Sequence, residues 1–134
     1  MPDKAAATPI MRSTLGQMRG LGSAKSGTAH WWAQRITAIA LIPLSLWFVA
    51  AIIGLAGLPR AAVTQWAARP LVASLLIALV VATFHHLQLG MQAMFEDYVR
   101  GEHLRLAIML VVKAVVALLA LIAIISVLKL AVGM

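Results

Sequence analysis

The sequence predicts an all-α membrane protein with three transmembrane helices. Hydrophobic residues make up 63% of its 134 residues and charged residues only 11%, whereas a soluble domain usually carries about 25% charged residues. The mean hydropathy is +0.97. The apolar residues stand in long blocks and not at amphipathic spacing, which indicates contact with lipid.

The three apolar blocks cover about residues 36–58, 71–94 and 106–132. Each block is long enough to cross a hydrocarbon core of about 30 Å at about 1.5 Å per residue. Pro70 directly precedes the second block, and the first turn of a helix tolerates proline. We therefore expect a three-helix transmembrane anchor domain over residues 30–134.

A polar and basic segment, rich in Gly, Ser and Thr, covers residues 1–29. It lacks the apolar core and the cleavage site of a secretory signal peptide. We interpret it as an N-terminal cytoplasmic segment. A mitochondrial presequence is also basic and poor in acids, and it is the alternative interpretation.

Lysine and arginine residues beside the apolar blocks predict the orientation, because cytoplasmic loops carry an excess of both. Those on the N-terminal flank and in the second connection are Lys4, Arg12, Arg19, Lys25, Arg35, Arg100 and Arg105. Those on the opposite side are Arg60, Arg69 and Lys129. The bias predicts a cytoplasmic N-terminus and a periplasmic C-terminus in a bacterial inner membrane, with the mitochondrial inner membrane as the alternative. This topology and contact with anionic lipid account for the net charge of +7 without nucleic acid.

Several classes of site are excluded by composition and motif. The chain has no cysteine, which excludes disulfides, thiolate metal sites, iron–sulfur ligation and cysteine nucleophiles. It also has no phosphate-binding glycine loop, hydrolase triad or metalloprotease motif. We therefore predict that this chain catalyses no reaction alone.

Two adjacent histidines, His85 and His86, lie within the second apolar block. An imidazole in hydrocarbon needs a hydrogen-bond partner or a metal, and haem iron is commonly held by an axial histidine. Gly90 lies one turn from His86 on the same face, where a missing side chain lets a flat macrocycle or a neighbouring helix approach. Adjacent positions are about 100° apart on a helix, so both histidines cannot face one ligand. The alternative is that one histidine only hydrogen-bonds a neighbouring helix.

An acid and a phenol, Asp97 and Tyr98, follow the second block. Asp97 stands eleven residues after His86, about three full turns, so the two share a face. A quinone needs hydrogen-bond donors at its carbonyl oxygens and a proton source when it is reduced, and a tyrosine hydroxyl and a carboxylate supply these. The alternative is an interfacial aromatic residue beside a solvated acid.

A cluster of polar and aromatic residues stands before the first block. Trp31 and Trp32 are typical interfacial anchors. Arg35 lies at the edge of an uncharged span, where it can reach a lipid phosphate or hold a haem propionate by a bidentate contact, and His30 can join it. Lys113, within the third block, either extends its side chain to the inner surface or pairs with a propionate or an acid. The sequence leaves the roles of His85 and Lys113 open.

Two stretches of the chain resemble the family of hydrophobic membrane anchor subunits, of cytochrome b type, of succinate dehydrogenase (respiratory complex II). The first runs from Ser26-Gly27-Thr28 through His30-Trp31-Trp32 to Gln34-Arg35 and Thr37-Ala38, and the second contains His86-Leu87-Gln88-Leu89-Gly90-Met91 and Glu96-Asp97-Tyr98. Chain length, the three-helix layout and the N-terminus on the inner side are also similar. The resemblance covers nearly the whole chain.

The resemblance implies a b-type haem shared between two anchor subunits. His86 would be one axial ligand of the haem iron, and a second cytochrome b anchor subunit would supply the other. The spacing to Gly90 and to Asp97 favours His86 over His85 as the ligand. The three helices would then form part of a haem-binding bundle that the second anchor subunit would complete.

The resemblance also implies a ubiquinone site and contacts to the haem propionates. Tyr98 would donate a hydrogen bond to a ubiquinone carbonyl, with Asp97 beside it in the proton supply. Arg35 corresponds to an arginine near the propionates, and His30 and Trp32 correspond less closely.

As a function, the resemblance implies the membrane anchor of a succinate:ubiquinone oxidoreductase in the electron transport chain and the tricarboxylic acid cycle. An iron–sulfur subunit and a flavoprotein subunit would dock on the inner face, and the family allows a trimer of heterotetramers. Three alternatives stay open from the residues: the anchor of a fumarate reductase, a cofactor-free membrane adaptor and a small proton-conducting protein.

Overall fold

The computed structural model describes the backbone of residues 23–133 and the side chains from residue 27 onward. Over the described residues the chain is helical, without strands. The four helices are α1 (Ser23–Leu55), α2 (Arg60–Ala67), α3 (Pro70–Tyr98) and α4 (Glu102–Val132). The predicted all-α fold class is confirmed.

Three of these helices are long and apolar enough to cross a membrane, over Gly27–Leu55, Pro70–Tyr98 and Glu102–Val132. Almost none of their residues is buried within the chain. In water such a surface would be strongly unfavourable, whereas hydrocarbon solvates it and backbone hydrogen bonds within each helix satisfy the polar groups. The chain is a multi-pass membrane protein.

The helices extend beyond the apolar blocks of the sequence. Helix α1 begins at Ser23, well before the first apolar block, because Ser, Thr, Trp and Gln interrupt the hydropathy pattern without breaking a helix. It continues through Pro43, where one backbone hydrogen bond is lost. Of the polar segment predicted over residues 1–29, residues 1–22 lie outside the described part of the chain.

The first connection contains a short helix that the sequence analysis did not predict. Gly57 has a φ of 80° after the end of α1, a left-handed conformation that favours glycine. Helix α2 then packs against α3 and α4, and its last residue, Ala67, is fully buried. Trp66 of α2 stacks on Trp47 of α1 with ring centroids 5.9 Å apart and ring planes at 23°. These contacts hold the connection against one end of the bundle.

Helices α3 and α4 form the most extensive packing in the chain. Their connection is only residues 99–101, and two backbone hydrogen bonds join it to the helices, from Val99 N–H to the Phe95 carbonyl at 3.0 Å and from Arg105 N–H to the Gly101 carbonyl at 2.8 Å. Short connections favour antiparallel neighbours. The buried residues of the two helices are Leu76, Leu89 and Val116.

The chain divides into two compact units, Met1–Trp32 and Ala33–Met134. The first unit contains His30 and Trp32. The second contains Arg35 and all the candidate residues of α3.

Candidate functional site

Helix α3 carries most of the candidate residues in one uninterrupted helix from Pro70 to Tyr98. His86 lies in its second half and is partly buried. Its Nδ1 atom lies 3.0 Å from the Oγ1 atom of Thr37 on α1. A side-chain hydrogen bond therefore joins α1 to α3 at the predicted ligand.

The direction of this hydrogen bond follows from the other contacts of the Thr37 hydroxyl. Oγ1 also lies 2.8 Å from the carbonyl oxygen of Ala33 and 3.0 Å from that of Gln34. A hydroxyl has a single hydrogen. If that hydrogen pointed to His86, the hydroxyl oxygen would lie at these distances from both carbonyl oxygens with no hydrogen in between, and the oxygen atoms would repel each other. The hydroxyl therefore donates to the carbonyls and accepts from Nδ1–H of His86.

This direction determines the tautomer of the neutral His86 side chain. A neutral imidazole carries one hydrogen, so a protonated Nδ1 leaves the lone pair of Nε2 available. An imidazole nitrogen binds a metal through such a lone pair. His85, by contrast, is exposed and about 100° away around the helix.

Gly90 lies one turn beyond His86 on the same side of α3. A Cβ built on Gly90 would meet no atom within 4 Å apart from the nearby backbone of its own helix. No packing inside the described chain therefore requires glycine at this position. The same side of α3 is open to a group from outside the chain.

Asp97 and Tyr98 form the last turn of α3 and are both exposed, Tyr98 by 82%. Asp97 lies about 16 Å from His86 along the helix axis at about 1.5 Å per residue. The continuous helix places Asp97 on the side of His86. The described chain does not enclose the tyrosine.

The remaining predicted residues lie on α1. Arg35 is exposed and stands within one turn of Thr37. In the first unit, the Nε2 atom of His30 is buried and has no hydrogen-bond partner among the described residues. Trp32 is 54% exposed and meets the edge of Trp31 at a centroid distance of 5.1 Å.

Lys113 of α4 lies against another side of α3 from the Thr37 contact. It lines a small cavity between α3 and α4 together with Gln88 and Gln92. Gln88 is about 200° around the helix from His86. Gln92 Nε2 also donates to Glu96 Oε1 at 2.9 Å, so this side of α3 has polar contacts of its own.

A larger open cavity of about 530 Å³ lies beside the connection of α3 and α4. Its lining residues are mostly charged or titratable: Glu96, Glu102, His103, Arg105, Leu106 and Met109. The sequence analysis did not single out this group, although the clustering of charges around a short connection was a visible signal. Within the part of the chain that the structure describes, no group of three or more His, Asp, Glu or Cys side chains is arranged to hold a metal ion.

Thr37 is the site residue that the sequence analysis missed. It appeared within the family-like stretch but was given no role, because nothing in the local sequence shows which residue of another helix it contacts. The only local signal was a hydroxyl at the edge of an apolar block, where polar groups need a partner.

Comparisons with known proteins identify the family. Residues 9–123 match the family described as succinate dehydrogenase/fumarate reductase transmembrane subunit. A succinate dehydrogenase hydrophobic membrane anchor subunit from Rickettsia bellii (strain RML369-C) is 34% identical over 102 residues, which is 76% of this chain and 82% of the relative. A protein of the same description from Paracoccus denitrificans is 32% identical over 90 residues, 67% of this chain and 70% of the relative.

A succinate dehydrogenase membrane anchor subunit from Reclinomonas americana is 32% identical over 96 residues, 68% of this chain and 78% of the relative. No solved structure gives a significant match. The family match spans most of the chain, including the Thr37–His86 contact and the end of α3. The chain therefore belongs to the succinate dehydrogenase/fumarate reductase transmembrane subunit family, as a succinate dehydrogenase membrane anchor subunit.

Proposed function

We propose that this anchor subunit binds haem b through His86 and helps to form the site at which ubiquinone is reduced. The observation that supports this most directly is the hydrogen bond between Thr37 and His86. It leaves Nε2 of an intramembrane histidine with a free lone pair, which is what an axial ligand of haem iron requires.

The surroundings of His86 fit a flat prosthetic group. Gly90 presents no side chain on the same side of α3, and an added Cβ would meet nothing there within the chain. A macrocycle edge can therefore approach the helix backbone. When bound, haem b would supply a centre for one-electron redox chemistry. A second cytochrome b anchor subunit would supply the other histidine that holds the haem.

Residues of α1 are suited to the propionates of the haem. The guanidinium of Arg35 can form a bidentate pair with a carboxylate. His30 carries a buried Nε2 atom without a partner among the described residues, so a carboxylate from outside the chain would satisfy it. The indole N–H of Trp32 can also donate to such a group.

Tyr98 and Asp97 supply the chemistry for quinone reduction at the end of α3. The Tyr98 hydroxyl donates a hydrogen bond to a ubiquinone carbonyl oxygen and orients the head group. Asp97, one residue earlier, passes a proton toward the oxygen that becomes a hydroxyl. Both side chains are exposed in this chain, so the second anchor subunit and the iron–sulfur subunit provide the other walls of the pocket.

The distribution of charge supports an inward-facing end for this site. Arg100 and Arg105 flank the α3–α4 connection, and the positive-inside rule assigns that connection to the cytoplasmic side. The N-terminus then lies in the cytoplasm and the C-terminus in the periplasm of a bacterial inner membrane. The iron–sulfur and flavoprotein subunits dock on the cytoplasmic face, near Tyr98.

The test is a dithionite-reduced minus oxidised optical spectrum of the purified complex for the wild type, His86→Ala and His85→Ala. We expect the b-type haem signal to be lost or strongly altered in His86→Ala and kept in His85→Ala, which is the matched control one residue away. Loss in His85→Ala alone would assign the ligand to His85. A wild-type complex without haem would favour a cofactor-free adaptor or a proton-conducting role for the chain.

A further inference from the structure

We propose that Thr37 is a positioning residue that fixes the tautomer and ring orientation of His86 and thereby sets the reduction potential of the bound haem. This inference rests on the proposed function, in that it assumes a haem on His86. Thr37 itself does not reach the iron. It acts through the hydrogen bond between its Oγ1 atom and His86 Nδ1, 3.0 Å long.

The orientation of the threonine hydroxyl is fixed by bonds within its own helix, independently of the histidine. Oγ1 bonds back to the carbonyls of Ala33 and Gln34, four and three residues earlier in the same helix. A β-branched side chain in a helix has few χ1 rotamers, and this back-bonding selects one of them. The acceptor lone pair of Oγ1 therefore points in a defined direction, and the ring of His86 aligns with it.

The resulting chain of hydrogen bonds runs from imidazole N–H to hydroxyl to backbone carbonyl. Each bond in such a chain polarises the next, so the hydroxyl that donates to a carbonyl is a stronger acceptor for the imidazole N–H. A ligand histidine whose other N–H is hydrogen-bonded is held in one tautomer and is a more basic ligand. A more basic axial ligand stabilises ferric over ferrous iron, so the Thr37 contact lowers the haem potential.

The position of the contact gives Thr37 a second effect. Its hydrogen bond to His86 is a side-chain link between α1 and α3 within the described residues of the second unit. Packing in a membrane relies on such contacts because lipid provides no hydrophobic drive for helices to associate. The ring plane of His86 is therefore tied to the register of α1 against α3.

The test uses the purified complex with Thr37→Val, which replaces the hydroxyl by a methyl group of similar size, and Thr37→Ser, which keeps the hydroxyl. Ser45→Ala is the matched control on the same helix, because among the described residues the Ser45 hydroxyl donates to the Ile42 carbonyl of its own helix, at 3.1 Å, and not to another helix. The readouts are haem per complex, the midpoint potential of the haem by optical titration, and the g values of its low-spin EPR signal.

We expect Thr37→Val to raise the midpoint potential, to shift the EPR signal and to weaken haem retention by about 10-fold or more, the usual effect of losing a hydrogen-bond partner of a metal ligand. Thr37→Ser and Ser45→Ala should match the wild type in potential and EPR signal. A valine variant with the wild-type potential, EPR signal and haem content would overturn the inference.

Two further outcomes also decide. If the valine complex does not assemble, the same readouts on Thr37→Ala and Thr37→Ser apply, since loss of packing by the β-branch would alter both variants, whereas loss of the hydroxyl alters only alanine. Equal changes in both would therefore count against the inference. Absence of haem from the wild type would contradict the proposed function itself. That result differs from a wild type with haem whose properties do not change when Thr37 is replaced, which would contradict only the role of Thr37.

Discussion

Leu89 and Gly90 are neighbours on α3, yet they lie on sides of the helix with opposite character. Leu89 is 7% exposed, so this chain itself covers its side chain. Gly90 leaves open space and belongs to the side of His86. Leu89 is covered within this chain, as are Leu76 and Val116 elsewhere on α3 and α4. The side of Gly90 is not.

The difference between the side of Leu89 (the packed side) and the side of Gly90 and His86 (the open side) indicates what each of them contacts. At Leu89 the chain provides close apolar contact, which is one of the interactions that hold helices together in lipid. The open side carries the His86 imidazole with its hydrogen-bond partner, Gly90, which no neighbouring residue requires to be glycine, and Asp97 at the end of the helix. Polar groups with vacant bonding positions are costly in a membrane unless a partner meets them. We therefore propose that another molecule completes the open side.

The largest expected effect comes from filling the open side. Gly90→Leu should prevent haem incorporation, because the new side chain would occupy the space beside His86, where an added Cβ meets no atom of the chain within 4 Å. Helix α3 should still form, since leucine is a better helix former than glycine. The measurement is haem content per complex from the reduced-minus-oxidised spectrum.

Gly54→Leu is the control for this substitution. Gly54 also stands in a transmembrane helix with no atom near an added Cβ, but it lies near the far end of α1 from the Thr37 contact. We expect normal haem content in that variant. Full haem incorporation by Gly90→Leu would mean that the open side of α3 faces lipid and not a cofactor.

A smaller effect is expected at the end of the open side. Tyr98→Phe removes one hydroxyl that is exposed in this chain, so the anchor should fold and keep its haem. Loss of a hydrogen bond to bound quinone should lower kcat/KM for ubiquinone reduction by about 10-fold, as expected for about 1–2 kcal/mol. Succinate oxidation with a soluble dye as acceptor should be unchanged. A quinone reductase rate equal to the wild type would remove Tyr98 from the site.

The sequence predicted the fold because lipid imposes a simple rule on it. A span must be apolar for about 20 residues, and three blocks satisfied that rule. The true helix ends were harder to predict, because polar residues from Ser23 onward continue α1 without contributing to hydropathy. Helix α2 is amphipathic but has only eight residues, and a helix that short gives little signal in a sequence because its stability comes from packing.

The site was predictable where it depends on one helix and hidden where it depends on two. The spacing of His86, Gly90 and Asp97 indicates a shared side, and the unbroken helix α3 provides it. The contact of Thr37 with His86 joins residues 49 positions apart, and it depends on the register of α1 against α3. No local pattern encodes that register. This chain leaves Tyr98 exposed, and the walls proposed around it would come from other chains, whose residues this sequence does not contain.

The smallest expected effect lies on the packed side. Leu89→Ala should leave the haem content and the haem potential unchanged. It should lower the free energy of unfolding of the complex, measured by heat or detergent, by about 1–2 kcal/mol. This is less than in a soluble core, because lipid solvates apolar side chains and only the packing is lost. Leu87→Ala, at a position 45% exposed on the same helix, is the matched control and should change little. If Leu89→Ala lost haem as completely as Gly90→Leu, the two positions would not act independently, and the cofactor would depend on the packing around Leu89 as much as on the open side.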